Sequence, residues 1–560
     1  MTQIDNSSLE HNSSFPASRL LCAALILATL YLSYGYSLGA IGLVGPDEPR
    51  YAWIARDMME TGDWVTPRLY GKPWFEKPPL YYWGAALSFK LFGVNEPAAR
   101  LPSAISALLA TLVLSWLAWR LYGAETALWL MLFLPTTVGM IGFSHAAATD
   151  MPFSAMLTLA MVCAAFVLRL VRDENTPILP RTPWLALVFF GFFLGLAVLA
   201  KGPAAIVLSG GAVLLWAIFT KRWRDAFRCL HPVAILSFCL TALPWYILCS
   251  RRNPDFFGVF FIEHNFRRYL TPEFQHIQPF WFYVPITLLA IFPWTVLLVP
   301  ASQHVLETIR ARRPELDSSL FFLCWVTFPL VFFSASKSKL PGYILPAIPP
   351  LVVLLVTARP ARWLVAALGT GLIGLAMALS AFTGKLPVYT AVSPPPEVRI
   401  IEFIALFAGV TVLVLCILRR VRIALFAMVL FVLLLIVKSD DLLGRFDRAL
   451  TARSALPHAS RELPQFAPSA AATWELTRSQ VYQLNFYLHS ALPEWQGGDP
   501  KPTWLFVRAK QLQQVDALGF VCPEHRVYPA VILCRDAASV SGLGALGGSR
   551  DDGVRNRQSR

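Results

Sequence analysis

Long apolar stretches of similar length recur along the 560-residue chain, separated by short polar breaks. A helix needs roughly 20 apolar residues to cross a hydrocarbon core. By that measure the pattern predicts about 13 transmembrane helices, near 20–43, 98–119, 125–143, 152–170, 184–200, 203–220, 231–250, 281–300, 319–334, 342–358, 362–382, 400–418 and 422–438. The segment Pro78–Phe92 is amphipathic and interrupted, which places it along the interface rather than across it. After about residue 438 the pattern changes. Short strand-like runs such as Thr503–Val507 and Arg526–Leu533 alternate with helical patches. The expected fold is a polytopic α-helical membrane protein with a small C-terminal α/β domain. Its parts are a polar N-terminus (1–19), a transmembrane domain (20–438), the α/β domain (439–537) and a Gly-, Ser-, Arg- and Asp-rich tail (538–560) whose composition predicts disorder.

Composition supports the membrane reading. Hydrophobic residues make up 56% of the chain and charged ones 15%, and the mean hydropathy is +0.54. A soluble protein of this length cannot cover so much apolar surface. The net charge of +14 does not point to nucleic acid, because the basic residues form no single patch. They cluster in alternate loops instead: Arg169/Arg172/Arg181, Lys221/Arg222/Arg224/Arg228, Arg310/Arg312/Arg313, Arg359/Arg362 and Arg419/Arg420/Arg422. Short basic loops stay in the cytoplasm. Loops 44–97, 144–151, 201–202, 251–280, 335–341 and 383–399 then face outward with the C-terminal domain, as an odd number of spans requires. The first apolar run has no cleavage site after it, so it reads as a span rather than a signal peptide. Seven of the nine cysteines lie in or beside apolar segments, with no CxxC. Cys522 and Cys534 flank a possible hairpin on the oxidising side, where a disulfide is expected.

The outward loops also hold nearly all the unusual polar residues: Asp47, Glu48, Arg56, Glu76, Lys77, Asp150, Lys201, Glu263, His264, Arg267, Arg268, Lys337, Lys339 and Tyr343. Ionisable groups at head-group depth are costly unless paired, hydrated or functional. Asp47 follows the first span directly, where a carboxylate can take a proton from an acceptor hydroxyl, fix the acceptor, or simply cap a helix. Lys77 stands before two prolines that stiffen the backbone, which suits either a phosphate contact or a snorkelling anchor. Asp150 opens a span and could cap it, or share an acceptor or a metal with a second carboxylate. His145 reads as structural. Lys201, Lys337 and Lys339 lie on the side that topology disfavours for cations, and an anionic ligand would explain them. Tyr343 can donate to a phosphate with its ring in the interface, and Arg267 and Arg268 offer forked contacts. Glu76, Glu263 and His264 could hold a divalent metal.

Several motifs in fixed order resemble the bacterial aminoarabinose transferases, C-type glycosyltransferases related to the protein O-mannosyltransferases. They are Asp47-Glu48-Pro-Arg50-Tyr51, Gly62-Asp63-Trp64-Val65-Thr66-Pro67, Phe75-Glu76-Lys77-Pro-Pro-Leu-Tyr81-Tyr82-Trp83, Ala99-Arg100-Leu-Pro102, Thr149-Asp150, Lys201-Gly-Pro203, Glu263-His264-Asn265 and Lys337-Ser-Lys339-Leu-Pro-Gly-Tyr343. The resemblance runs from about residue 40 to 350, with a weaker match at Leu484-Asn485-Phe-Tyr487-Leu488. It implies transfer of 4-amino-4-deoxy-L-arabinose from undecaprenyl phosphate to lipid A phosphates on the periplasmic side of the inner membrane, giving polymyxin resistance. Asp47 and Asp150 would be the catalytic carboxylates, and Lys77, Arg268, Tyr343 and Lys201 the ligands of the carrier phosphate. Glu48, Arg56, Tyr81, Lys337 and Lys339 would line the cavity, and Glu76 with His264 would be the metal-linked positions. No nucleotide cofactor is implied. The expected partners are the lipid-borne donor, the lipid A acceptor and membrane lipid, with no nucleic acid and a monomeric chain.

Two other readings stand beside this one. A related transferase could act on protein, another lipid or a cell-wall polymer. A transporter would share the many spans, but it should show charges near the midplane and two related halves. Here the charges gather at one face.

Overall fold

The structure, a computed structural model, describes residues 15–171, 184–267, 277–383, 396–453, 456, 466–498, 500–522, 526–528 and 531–538. It divides into two compact units, one of Met1–Gly39 with Ile54–Leu442 and the other of Ala40–Trp53 with Leu443–Arg560. The second unit therefore begins close to the expected boundary at 439, but it also takes in a short stretch from far upstream. The expected disordered tail lies outside the described residues beyond 538.

The first unit is helical. Among the described residues, seven helices are long and apolar enough to cross a membrane: Glu96–Tyr122, Asp150–Val167, Trp184–Lys201, Trp223–Arg252, Leu316–Ala335, Arg399–Ile417 and Val421–Asp447. Four shorter apolar helices accompany them, Leu20–Tyr34, Ala204–Thr220, Pro341–Thr357 and Arg362–Met377. Two of the spans expected to be straight are broken. Ala124–Phe133 meets Val138–Ser144 at 60°, and Tyr283–Ala290 meets Trp294–Ala311 at 106°. Pro135 and Pro293 sit at these breaks, and each removes an amide from the helical ladder. The breaks then satisfy one another, as an apolar surrounding demands. The Val138 amide donates to the Phe292 carbonyl at 3.0 Å. The Trp294 indole donates to the Phe133 carbonyl at 3.0 Å and lies near Thr136 Oγ1 at 3.1 Å. Its ring stacks on Phe133 with centroids 3.7 Å apart.

Two helices set the level of the candidate site. Glu96–Tyr122 and Asp150–Val167 run side by side in the same direction. Ser103 Oγ donates to the Ala146 carbonyl at 2.6 Å near their beginnings, and Trp116 stacks on Phe166 at 5.0 Å near their ends. The stretch expected to be interrupted near Pro78–Phe92 is a continuous 13-residue helix, Leu80–Phe92. It is too short to cross a bilayer, and it buries Tyr81, Tyr82, Ala85 and Phe89.

Two short strands, β1 (Arg68–Leu69) and β2 (Lys72–Pro73), pair antiparallel in the first unit, and among the described residues the second unit carries a sheet of five strands: β3 (Ala471–Thr473), β4 (Trp504–Arg508), β5 (Phe520–Val521), β6 (Arg526–Tyr528) and β7 (Val531–Asp536). The order is β3-β4-β7-β5, with β6 pairing β7. β3 runs parallel to β4, and the other pairs are antiparallel. The run read from sequence as strand-like, Arg526–Leu533, is thus shared between two paired strands, β6 and β7. Residues of β4 alternate between two buried faces. Trp504 and Phe506 pack with Leu484 and Leu533, while Leu505 and Val507 pack with Val515 and Ile532. The helix Arg478–Leu488 is fixed at its start by a reciprocal cap between Thr477 and Gln480.

Cys522 and Cys534 form a disulfide that closes a 12-residue interval next to β7. Replacing both by serine should weaken this unit by about 2–4 kcal/mol through the added freedom of the unfolded loop. The check is limited proteolysis of the intact chain, which should cut faster between β5 and β7.

Candidate active site

The geometry of the first unit is clearest around Asp150. Its helix begins at Asp150 with Pro152 in the first turn, and Thr149 makes no side-chain cap. The carboxylate is not used on helix amides but meets Lys201 Nζ at 2.5 Å, with both side chains mostly buried. Lys201 ends the helix Trp184–Lys201, and Gly202-Pro203 turn the chain directly into Ala204–Thr220. Its ammonium lies 4.8 Å from the Tyr343 ring centre and 5.7 Å from that of Phe153. Gly342 makes this packing feasible, because a Cβ there would stand 2.5 Å from Asp150 Oδ1 and 3.0 Å from Phe143. Asp150, Lys201 and Tyr343 are therefore one cluster.

A second pair joins Glu76 and Lys77 at 3.2 Å, with both side chains mostly buried. Beside it opens a cavity of about 530 Å³ lined by Trp74, Phe75, Glu76, Arg252, Asn253 and Asp255, among others. A metal at Glu76 would have to share or displace the ammonium of Lys77. His264 falls in a wide helical turn, Gly258–Arg267, but its side chain lies outside what is described, and Arg268 lies outside the described residues. Among the described residues no group of three candidate metal ligands gathers.

Other expected residues are spent locally. Lys339 is buried and donates to the carbonyls of Ser336 at 2.6 Å and Gln278 at 3.1 Å. Burial, with Lys337 close by, lowers its pKa from the ordinary lysine value. Lys337 itself is exposed and has no hydrogen bond or ion pair among the described residues. Tyr81 is buried and ties its helix to the next by donating to the Ala99 carbonyl at 2.9 Å. Arg56 pairs with Glu60 one turn on, at 2.8 Å. His145 is structural, its ring nitrogens each 2.9 Å from the carbonyls of Ile141 and Tyr36.

Asp47 belongs to the second unit. It opens the helix Asp47–Thr61, and its side chain, 58% exposed, meets the buried Arg50 at 2.6 Å. The i, i+3 spacing of Asp47 and Arg50 already signals a shared helix face. Glu48 is buried and turns back to accept from the Val44 amide at 2.8 Å.

Asp63 had no place among the expected site residues. In the structure it fastens the loop below the second pair. It accepts from the amides of Val65 at 3.1 Å and Thr66 at 3.2 Å, and lies 3.2 Å from Arg252 and 3.5 Å from Arg68. The Trp245 indole donates to the Val65 carbonyl at 2.9 Å, and Asn253 donates to Thr66 Oγ1 at 3.0 Å. Burial alone would raise the pKa of Asp63. The two amides and the guanidinium groups outweigh it and hold the carboxyl below its ordinary value. The block Gly62–Pro67 was visible in sequence, but nothing there pointed to partners nearly two hundred positions away.

Two mostly buried carboxylate–ammonium pairs, one joining two helix ends and one in a loop beside an open cavity, suit the handling of an anionic group. Residues 15–260 match the model of the dolichyl-phosphate-mannose-protein mannosyltransferases. An undecaprenyl phosphate-alpha-4-amino-4-deoxy-L-arabinose arabinosyl transferase of Erwinia tasmaniensis is 35% identical over 334 residues, 59% of this chain and 58% of that protein. Its counterpart in Aeromonas salmonicida is 36% identical over 317 residues, 56% of this chain and 55% of that one. The matches thus span less than two thirds of these relatives. The crystal structure of ArnT from Cupriavidus metallidurans bound to undecaprenyl phosphate superposes with a TM-score of 0.73 at 24% identity, covering 94% of this chain and 99% of that one. Its apo form gives 0.75 at 23% identity, with the same coverage.

The fold is the one seen in these ArnT structures. In sequence the chain is similar to the bacterial aminoarabinose transferases over rather more than half its length, and its residues 15–260 to the protein mannosyltransferase model.

Two outcomes follow from this geometry. Gly342→Ala should push Asp150 away from Lys201. Labelling of Lys201 by an amine-reactive probe should rise, while the protein still inserts and is purified normally. Asp63→Asn should remove a clamp whose contribution is full above about pH 4, the ordinary carboxylate value, and is lost as pH falls through the lowered pKa. The stability gap between wild type and variant, followed by thermal melting in detergent, should close on acidification.

Proposed function

We propose that this chain transfers 4-amino-4-deoxy-L-arabinose from undecaprenyl phosphate to a phosphate of lipid A, on the periplasmic side of the bacterial inner membrane, and so confers resistance to polymyxin and other cationic antimicrobial peptides. In this reading the protein works as a monomer. The seven long helices, the two bent pairs and the four shorter apolar helices supply its thirteen crossings, and the loops carrying Glu76, Asp150 and Lys201 face outward. The observation that carries the reading is the cation of Lys201, held by Asp150 over the Tyr343 ring at the tip of a helical hairpin. Such a cation is already desolvated and oriented, so an arriving phosphate needs only to take over a contact that a carboxylate now makes.

The chemistry is a displacement at the anomeric carbon. An acceptor oxygen forms the new C–O bond while the bond to the carrier phosphate breaks, and undecaprenyl phosphate leaves with its charge met by Lys201, Lys77 and Arg268. Tyr343 adds its hydroxyl. A lipid A phosphate is already ionised and needs little base catalysis, so Asp47 positions the acceptor or the sugar amine. If a divalent ion binds, Glu76 and His264 are the residues to hold it, and it would supply charge against the carrier phosphate. The match to the protein mannosyltransferases keeps a second acceptor class in view, a hydroxyl. Asp47, exposed at its helix start, would then take the proton.

Mass spectrometry of lipid A from cells with and without the protein tests the reading. Aminoarabinose-modified lipid A should vanish on deletion and return with the wild-type gene, but not with Lys201→Ala or Asp47→Ala variants that insert normally. Unchanged lipid A with altered protein glycosylation would favour the second acceptor.

A further inference from the structure

The stretch leading into Asp47 is built into the same unit as the C-terminal domain, which starts about four hundred residues later in the sequence. One buried carboxylate explains this. Asp447 is 3% exposed. Its Oδ1 accepts from the Gly42 amide at 2.7 Å and from Thr451 Oγ1 at 2.5 Å. Its Oδ2 receives the Arg453 guanidinium, with Nε and the second nitrogen both at 2.9 Å. Arg453 also donates to the Ala40 carbonyl at 3.2 Å. The next amide, Leu43, donates to Tyr487 Oη at 2.8 Å, and the one after, Val44, donates to Glu48.

Three successive amides are thus held by side chains, two of them from the C-terminal part of the unit. Residue 42 must be glycine for this to happen, since a Cβ would stand 2.5 Å from Thr451 Oγ1 and 2.7 Å from Tyr487 Oη. Only Gly45 and Pro46 separate the held stretch from Asp47. Buried amides that lose a charged acceptor would have to find another or leave the site.

We propose that Asp447, with Arg453 and Tyr487, is a positioning device for the reaction: it fixes residues 40–44 and through them the placement of Asp47, so that the C-terminal domain acts by presenting the catalytic carboxylate. The proposal rests on the transferase reading above. A misplacement of about 1 Å at a reacting group can cost on the order of a hundredfold in rate.

The experiment uses the full-length protein in detergent or nanodiscs with a polyprenyl-phosphate-linked aminoarabinose donor and lipid A. Asp447→Asn removes the charge with little change of shape, and Tyr487→Phe removes the hydroxyl that accepts from Leu43. Lys501→Ala, which breaks the 2.5 Å bond to Asp536 elsewhere in the same unit, controls for general loosening. Hydrogen exchange of peptide 40–46 should speed up in the first two variants and not in the third. Their kcat should fall about tenfold or more, with the KM for the donor within about twofold of wild type, because Lys77 and Lys201 belong to the other unit and keep their own partners. Faster exchange with unchanged kcat, or unchanged exchange in both variants, would overturn the positioning role while leaving the transferase reading intact. An equal loss of kcat in Lys501→Ala would assign the effect to stability and overturn it likewise. A wild-type chain that transfers nothing would remove the reading and the proposal together.

Discussion

In an apolar surrounding a polar group must find its partner within the protein, and this requirement organises the helical unit. Where Pro135 and Pro293 interrupt two spans, the freed groups are matched across the breaks, Val138 to Phe292 and Trp294 to Phe133. Mostly buried charges come in pairs, Asp150 with Lys201 across two helix ends and Glu76 with Lys77 in a loop. The two cases differ in what they permit. Backbone matching across a break is permanent architecture. An ammonium resting against one carboxylate and an aromatic face can exchange partners without entering bare hydrocarbon, which is the property a site for a lipid-borne anion needs.

Much of this was legible from sequence because the membrane enforces simple patterns. Apolar run length gave most spans, and charges out of place marked Lys201, Asp150 and Lys77 as residues needing a partner. The breaks at Pro135 and Pro293 were harder, since hydropathy continues unaltered through them and only the backbone geometry changes. The Asp47–Thr61 helix was legible only at its start, where Asp47 could cap a helix; the rest is polar enough to read as loop. Lys339 looked like a ligand because its charge is unusual there, but its two carbonyl partners, one of them sixty-one positions away, are visible only in three dimensions.

The division into units was the least legible feature. Continuity of sequence suggests that Asp47 belongs with the span before it, yet Ala40–Trp53 is counted with the sheet-bearing unit. The signals were small: one glycine at 42, one aspartate at the end of a long helix, and one tyrosine in a short motif near residue 487. None is unusual alone. Local reading cannot join residues four hundred positions apart when each has an adequate local explanation.

The lysine at the hairpin tip has a mechanical consequence. Trp184–Lys201 is an 18-residue helix, about 27 Å long at 1.5 Å per residue, and Ala204–Thr220 is shorter still. A hydrocarbon layer of about 30 Å slightly exceeds both. With only Gly202-Pro203 between them, neither helix can adjust to lipid thickness without moving the ammonium they carry. Thickness mismatch, whether relieved by tilt or by local thinning, is therefore felt at Lys201. The fatty-acid composition of the membrane thus becomes a variable in how deeply this cation sits.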